Sequence, residues 1–344
     1  MKVAVVNNQA PFVRGGAELL AEWLRDKLRE YGHEAEVVRI PFKWSPATKI
    51  VDHMLAARLV RLAGADRVVA LKFPAYFVPH ENKVLWLLHQ FRQAYELWGT
   101  PYQDIPNSPI GHRVRESIIR ADRSFLSEAK RIYTNSEIVG HRLRMYTGIE
   151  SEILYPPLLD PEPLRCEGYG DYFFCPGRIT AGKRQHLAVA AMAHVAGSSR
   201  LIIAGQPETA EDLERLTGLI HELGLERRIE VIPRWISEEE KIRLMTNARG
   251  VVYLPFGEDS YGYVTLEAFH ARKAVITLAD SGGILELVRD RYNGLVPSDG
   301  EGLSRALQEL ADDHNLAESL GEAALSTLEE LDISWDRVIS ELTR

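Results

Sequence analysis

With 344 residues, 45% hydrophobic and 26% charged, the chain has the make-up of an ordinary globular protein and is long enough for about two cores. That excludes a fibre or a disordered tail, and the lack of any apolar run near the roughly 18 residues of a membrane span excludes a spanning helix. The net charge of −8 is unevenly spread, the residues up to 165 being net basic and the remainder net acidic.

The amino terminus, MKVAVVNNQ, enters a strand directly and shows no apolar leader with a cleavage site, so the chain is expected in the cytoplasm. Strands and helices then alternate. KVAVVNN is read as a strand, AELLAEWLRDKLREYG as a helix stopped by Gly32, EAEVVRI as a strand, SPATKIVDHMLAARLVRLAG as a helix, and DRVVAL and KVLWLLH as two further strands. RVRESIIRADRSFLSEAKR, residues 113–131, carries Arg113, Arg115, Arg120, Arg123, Lys130 and Arg131. It reads first as a solvated helix face and, as the alternative, as a surface for an anionic acceptor or a phospholipid membrane. KRIYTNS and EIVGHRLRMYTG follow as a strand and a helix ending at Gly148.

The segment from residue 151 to 171 holds four prolines and two glycines without helical period and is expected to link two domains. Beyond it YFFCPG, SRLIIAG and RIEVIPRW are read as strands, and RQHLAVAAMAHV, TAEDLERLTGLIHELG and SEEEKIRLMTNA as helices. Cys166 and Cys175 lack metal or redox spacing, and Cys175 sits in the apolar run YFFC, so a buried thiol is expected there rather than a disulfide. Two successive halves of this kind predict an α/β protein with two Rossmann-like domains, parallel sheets covered on both faces and a cleft between them.

The chemistry concentrates at strand ends, where such sheets bind ligands. The run VVYLPFGEDSYGYVTLEAFHAR sets a loop with Glu258, Asp259 and Gly262 between a buried strand and a helix carrying Glu267. Gly262 lets backbone approach a ligand, and the free amides of the helix start suit phosphate oxygens. Upstream, FFCPGRITAGKRQHL brings Arg178 and Lys183 to another strand end, a planar fork and a point charge that suit a diphosphate. His89 ends the strand KVLWLLH, in a place equally suited to a substrate hydroxyl and to a satisfied loop histidine. Gly15 and Gly16 follow strand one in the turn from Asn7 to Glu18. No G-x-G-x-x-G fingerprint occurs there, which argues against a nicotinamide or flavin enzyme.

These stretches resemble glycosyltransferase family 4, retaining enzymes of GT-B architecture. The likeness rests on the acidic pair Asp259 and Glu267, which flanks seven residues and has its second member within LEAF, on GR-x4-K at Arg178 and Lys183, on the GGAE turn, on Ser281-Gly282-Gly283 with Glu286, and on Asn293-Gly294-Leu295-Val296. It departs at Asp259, where the family has glutamate, so Glu258 or Asp259 is left as the acid that meets the sugar. The resemblance implies transfer of a hexose-type sugar from a UDP- or GDP-linked donor to an acceptor hydroxyl in glycan, polysaccharide or glycolipid synthesis. Glu267 would bind the ribose diol. Ser260, Tyr261, Gly262, Tyr263 and Val264 would meet phosphate or sugar, while Arg234 and Trp235 would lie near the base, Trp235 reading more simply as core.

No metal or further cofactor is implied, and no D-x-D pair stands at a strand end. Expected domains are residues 1–160 for the acceptor, 171–325 for the donor, and a closing helix in 326–344 that crosses back to the first. Two other readings stay open. One is a nucleotide-sugar 2-epimerase, separated by nucleotide release without acceptor. The other is a non-catalytic nucleotide-sugar-binding subunit, which Asp259 mildly favours and the joint presence of Arg178, Lys183, His89 and Glu267 disfavours.

Overall fold

The computed structural model describes residues 1–9, 15–100 and 103–344. Residues 10–14 of the first glycine turn, and residues 101 and 102 of the aromatic segment after His89, lie outside them. Two compact units emerge, Met1–Pro157 with Ser334–Arg344, and Leu158–Ile333.

The first unit runs β1 (Lys2–Gln9), α1 (Gly16–Glu30), β2 (Glu34–Pro41), α2 (Ile50–Leu59), β3 (Arg67–Lys72), β4 (Lys83–His89), α3 (Pro109–Phe125), β5 (Arg131–Thr134), α4 (Glu137–Thr147) and β6 (Glu152–Ile153). Its strands pair in parallel in the order β2-β1-β3-β4-β5-β6. The second unit runs β7 (Tyr172–Pro176), α5 (Gln185–Met192), β8 (Arg200–Ala204), α6 (Ala210–Glu222), β9 (Ile229–Ile232), α7 (Glu238–Thr246), β10 (Gly250–Val252), α8 (Tyr263–His270), β11 (Val275–Ile276), β12 (Gly294–Leu295), α9 (Gly300–Asp312) and α10 (His314–Glu330). Its parallel order is β12-β11-β10-β7-β8-β9. In each sheet the chain starts inside and winds outward in both directions, so the winding reverses between β1 and β3 and between β7 and β10.

The two-residue period of a strand explains why β1 is apolar on both faces. Val3 and Val5 join Leu20, Leu24 and Leu28 of α1 in one cluster, while Ala4 and Val6 join Met54 of α2 and Val114 and Ile118 of α3 in another. The last helix, α11 (Trp335–Thr343), buries Val338, Ile339 and Leu342 in the first of these clusters. Its Trp335 meets Trp86 of β4 edge to face at 6.5 Å, and Arg67 donates to the Leu342 carbonyl at 2.9 Å.

Helix ends follow local chemistry. Ser108, Ser136, Thr209, Ser237, Asp299, Asp313 and Ser334 each accept a backbone N–H of the first turn, a contact typically worth about 1 kcal/mol. Ser108 with Pro109 starts α3 ahead of the expected residue 113, and the helix stops at Phe125, while Arg131 opens β5 within the expected strand KRIYTNS. The proline-rich segment contains β6, because the Leu154 N–H reaches the Thr134 carbonyl at 2.9 Å and its side chain is buried.

Asp122 of α3 is fully buried and pairs with no cation among the described residues. Its carboxylate accepts from the hydroxyls of Tyr76 at 2.9 Å and Tyr95 at 2.6 Å, and from Gln90 Nε2 at 3.3 Å. Burial pushes its carboxyl up to about 6, although the three donors pull the other way. A folded pKa above the unfolded one means that Asp122 favours the fold at acid pH and that this contribution is lost as pH rises through 6. Asp122→Asn should therefore remove a decline in stability of up to about 3 kcal/mol between roughly pH 4 and 7. Urea midpoints of variant and parent over that range check this, and parallel pH profiles would refute it.

Candidate active site

In the second unit, the loops after β7 and β10 flank the point where the winding reverses, the favoured ligand position in such sheets. The β7 end is tightly built. A Cβ on Gly205 would stand 2.1 Å from the Gly177 carbonyl oxygen, so the ends of β7 and β8 meet backbone to backbone. Thr180 Oγ1 accepts the Lys183 N–H at 3.3 Å, turning the chain so that the Lys183 ammonium donates to Tyr253 at 2.9 Å and to Glu258 Oε2 at 2.5 Å. Burial pulls this ammonium down, but Tyr253 and Glu258 outweigh it and hold Lys183 above its ordinary value. Burial also pushes the Tyr253 phenol up to about 12. Lys183 is thus a fixed cation and Tyr253 a neutral donor.

The acidic loop is set by glycines. Gly282 has φ +74°, and a Cβ there would stand 2.5 Å from the Glu258 carbonyl oxygen and 2.6 Å from its nitrogen. Glu258 N–H donates to the Ser281 carbonyl at 3.1 Å, and Gly283 N–H returns to Glu258 at 2.9 Å. The Ser281-Gly282-Gly283 stretch is therefore a platform under the loop. Gly282→Ala should cost about 1–3 kcal/mol from φ alone and displace Glu258. Chemical denaturation reads the loss, and an unchanged midpoint would count against this account. Gly262, at φ +70°, caps α8 beside Tyr253, whose ring a Cβ would meet at 2.7 Å. Ser260 and Tyr261 precede this cap, and Tyr263 and Val264 form the first turn of α8.

Glu267, one turn further along α8, is only 8% exposed and receives Lys241 Nζ of α7 at 2.6 Å. Burial pushes the Glu267 carboxyl up and Lys241 pulls it back. Lys241, also held by Glu238 at 2.9 Å, stays a cation because the carboxylates outweigh its own burial.

Glu258, rather than Asp259, takes the contact with Lys183. Arg178 is exposed and pairs with Glu208 at 3.2 Å, so it does not share the Lys183 cluster. Arg234 forks onto Glu240 at 2.8 and 2.9 Å. Trp235 is 76% exposed, which corrects its simpler reading as core: β9 ends at Ile232 and the residues beyond leave the sheet. His89 hydrogen-bonds through Nδ1 with the Gln90 carbonyl at 2.6 Å and lies opposite Lys72 in the ladder. Gly15 is extended, so its lack of a side chain serves closeness: Glu18 accepts its N–H at 2.9 Å and Lys72 at 2.9 Å, while Gly16 opens α1. His270 lines a cavity at the far end of α8 with Arg165 and Arg272.

Several residues of these surroundings escaped the sequence. Tyr253 was hidden in an apolar strand run. Arg184 occupies left-handed backbone at φ 54°, forks onto Asp280 at 2.7 Å through both terminal nitrogens, and donates to the carbonyls of Leu254 and Pro255. It clamps the β10 loop to the platform. Separately, in the first unit, the side-chain oxygens of Asn7, Gln90 and Asn135 are buried and have no hydrogen-bond partner among the described residues.

Residues 164–327 match the family model described as Glycosyl transferases group 1. Among solved structures the chain is similar to HepE from Anabaena in complex with UDP and glucose, at 17% identity over 99% of this chain and 98% of that one, TM-score 0.73. It is similar to sucrose-phosphate synthase from Thermosynechococcus elongatus at 17% identity over 99% and 97%, TM-score 0.76. A third likeness is WaaG, a glycosyltransferase involved in lipopolysaccharide biosynthesis, at 17% identity over 99% of both chains, TM-score 0.74. No curated protein matches the chain in sequence. At these identities the structures establish the fold as GT-B, and the family match establishes the class of chemistry. The chain is a glycosyltransferase whose second unit carries a group 1 domain.

Proposed function

We propose that the protein is a retaining transferase of family 4 that moves a hexose-type sugar from a UDP- or GDP-linked donor to an acceptor hydroxyl without a metal. The observation that carries this reading is the grouping of Lys183, Tyr253 and Glu258 where the second sheet reverses its winding, beside the amino end of the helix bearing Glu267. Glu267 takes the ribose hydroxyls, and Glu258, with Asp259 beside it, those of the transferred sugar. The amides from Tyr261 to Val264 meet phosphate. Lys183, with Arg178 as a second cation, offsets the diphosphate as the bond from the sugar carbon to phosphate oxygen breaks. The acceptor oxygen bonds to that carbon on the same face, and its proton passes to the departing phosphate. Arg234 and Trp235 are assigned to the base. On the first unit, His89 and the Gly15–Gly16 turn are assigned to substrate hydroxyls and to diphosphate or acceptor.

HepE is described with UDP and glucose, which favours a uridine donor here. No described helix is long and apolar enough to cross a membrane. Arg113, Arg120 and Arg123 are exposed on α3 with Ile110 at its start, which supports a peripheral contact with an anionic membrane at the cytoplasmic face. Thermal shift against a panel of nucleotide sugars tests the central reading. A donor bound by the folded state alone at about 100 times its Kd stabilises by about 2.7 kcal/mol. A transition unmoved by every uridine and guanosine donor would overturn it, and a product of inverted anomeric configuration would overturn retention.

A further inference from the structure

We propose that Cys166 and Lys273 form a peroxide-responsive modification site, in which the oxidised thiol condenses with the lysine amine to give a reversible sulfur–nitrogen crosslink. The pair stands just past the carboxyl end of α8, outside every role assigned above. Lys273 Nζ lies 3.1 Å from Cys166 Sγ, donates to the Gly168 carbonyl at 2.5 Å and sits 4.0 Å above the Tyr169 ring. Its side chain is fully buried and forms no ion pair with a carboxylate among the described residues. Burial pulls its ammonium below the ordinary value, against the opposing pull of Cys166, which raises the share of neutral, nucleophilic amine. Lys273 is held in place by its neighbours. Tyr169, whose ring lies beneath it, donates to the Arg272 carbonyl at 2.9 Å.

Access comes from the other side. Cys166 is half-buried and lines a cavity of about 490 Å³ with Glu162, Arg165, His270 and Arg272, a mouth rich in polar groups through which a small oxidant can pass. The other thiol has no such approach. Cys175 is buried in the core of the second unit, and burial pushes it up to about 12, so it serves as an internal control.

The chemistry balances with hydrogen peroxide as oxidant. The Cys166 sulfur attacks one peroxide oxygen, the O–O bond breaks, an S–O bond forms and water leaves, so that sulfur is oxidised and peroxide reduced. The Lys273 nitrogen lone pair then attacks that sulfur, the S–O bond breaks, and the hydroxide departs with an amine proton as a second water. The product joins the segment ahead of β7 to the residue just past α8, the helix that carries Glu267. A dithiol reverses it by exchange at sulfur.

Peptide mapping of the full chain after hydrogen peroxide treatment tests the proposal. The expected product is a peptide pair joined through Cys166 and Lys273, two hydrogen atoms lighter than the sum of its parts and released by dithiothreitol. Lys273→Arg, checked for folding by circular dichroism, should lose the joined pair and accumulate a dimedone-reactive sulfenic acid at Cys166, and Cys166→Ser should lose both. The proposal is overturned if the parent protein shows no joined pair while its Cys166 labels with dimedone as strongly as in Lys273→Arg. Neither result depends on donor binding, so this site and the transferase assignment stand or fall separately.

Discussion

Lys183→Ala is expected to lower kcat by about 10²–10³-fold while leaving the fold intact, the range found when one preorganised donor to a developing negative charge is removed. The ammonium is fixed before any substrate arrives, with Tyr253 at 2.9 Å and Glu258 at 2.5 Å holding it at one point. In the proposed mechanism it therefore need not reorganise as charge builds on the leaving diphosphate. Loss of the fold is not expected, because the Glu258 side chain is 29% exposed and its carboxylate can turn to water once the cation is gone. Lys183→Arg should not restore the rate, since a planar fork cannot reproduce a point contact with a phenol and a carboxylate. Steady-state kinetics separate the alternatives. A raised KM with unchanged kcat would mean that Lys183 only helps to bind the donor, and would sink its role in bond cleavage.

Glu267→Gln is expected to abolish the thermal shift produced by the nucleotide-sugar donor, and also to destabilise the protein without ligand. The second effect follows from Lys241, which would keep its charge with one carboxylate fewer. Breaking a buried ion pair from one side costs about 3–5 kcal/mol, and Glu238, at 2.9 Å from the same ammonium, should hold the loss below that range. The double variant Glu267→Gln with Lys241→Met separates fold from function: it removes the stranded charge and should recover stability, yet remain blind to donor. A double variant that still shifts fully with donor would remove Glu267 from the ribose site.

Much of this architecture is legible before folding. The apolar runs and the helical spacing of Leu20, Leu24 and Leu28 predict the alternation that the two parallel sheets display, because strand and helix periods are local properties of the chain. The same holds for the loop after VVYLP and for the glycines around it. Contacts across the fold are another matter. Whether Glu258 or Asp259 meets Lys183 turns on a single residue in a loop without period, and it is settled by Gly282, more than twenty positions away, whose missing side chain admits the Glu258 backbone. Trp235 gave no sign that it would be exposed, since the end of a short strand is poorly marked in sequence. Arg184 looks like an ordinary neighbour of Lys183, and only its left-handed backbone and its fork onto Asp280 reveal a clamp.

The chain by itself therefore determined the class of fold and the strand ends that carry the charged and glycine-rich loops, because burial period, turn residues and charged types are written in short stretches. The tertiary structure alone decided the partners: Tyr253 and Glu258 for Lys183, Lys241 for Glu267, Lys273 for Cys166. Each of these pairings spans 26 to 107 positions, and a contact at such separation is set by how the second unit's fold brings distant loops and helices together, which no local pattern encodes.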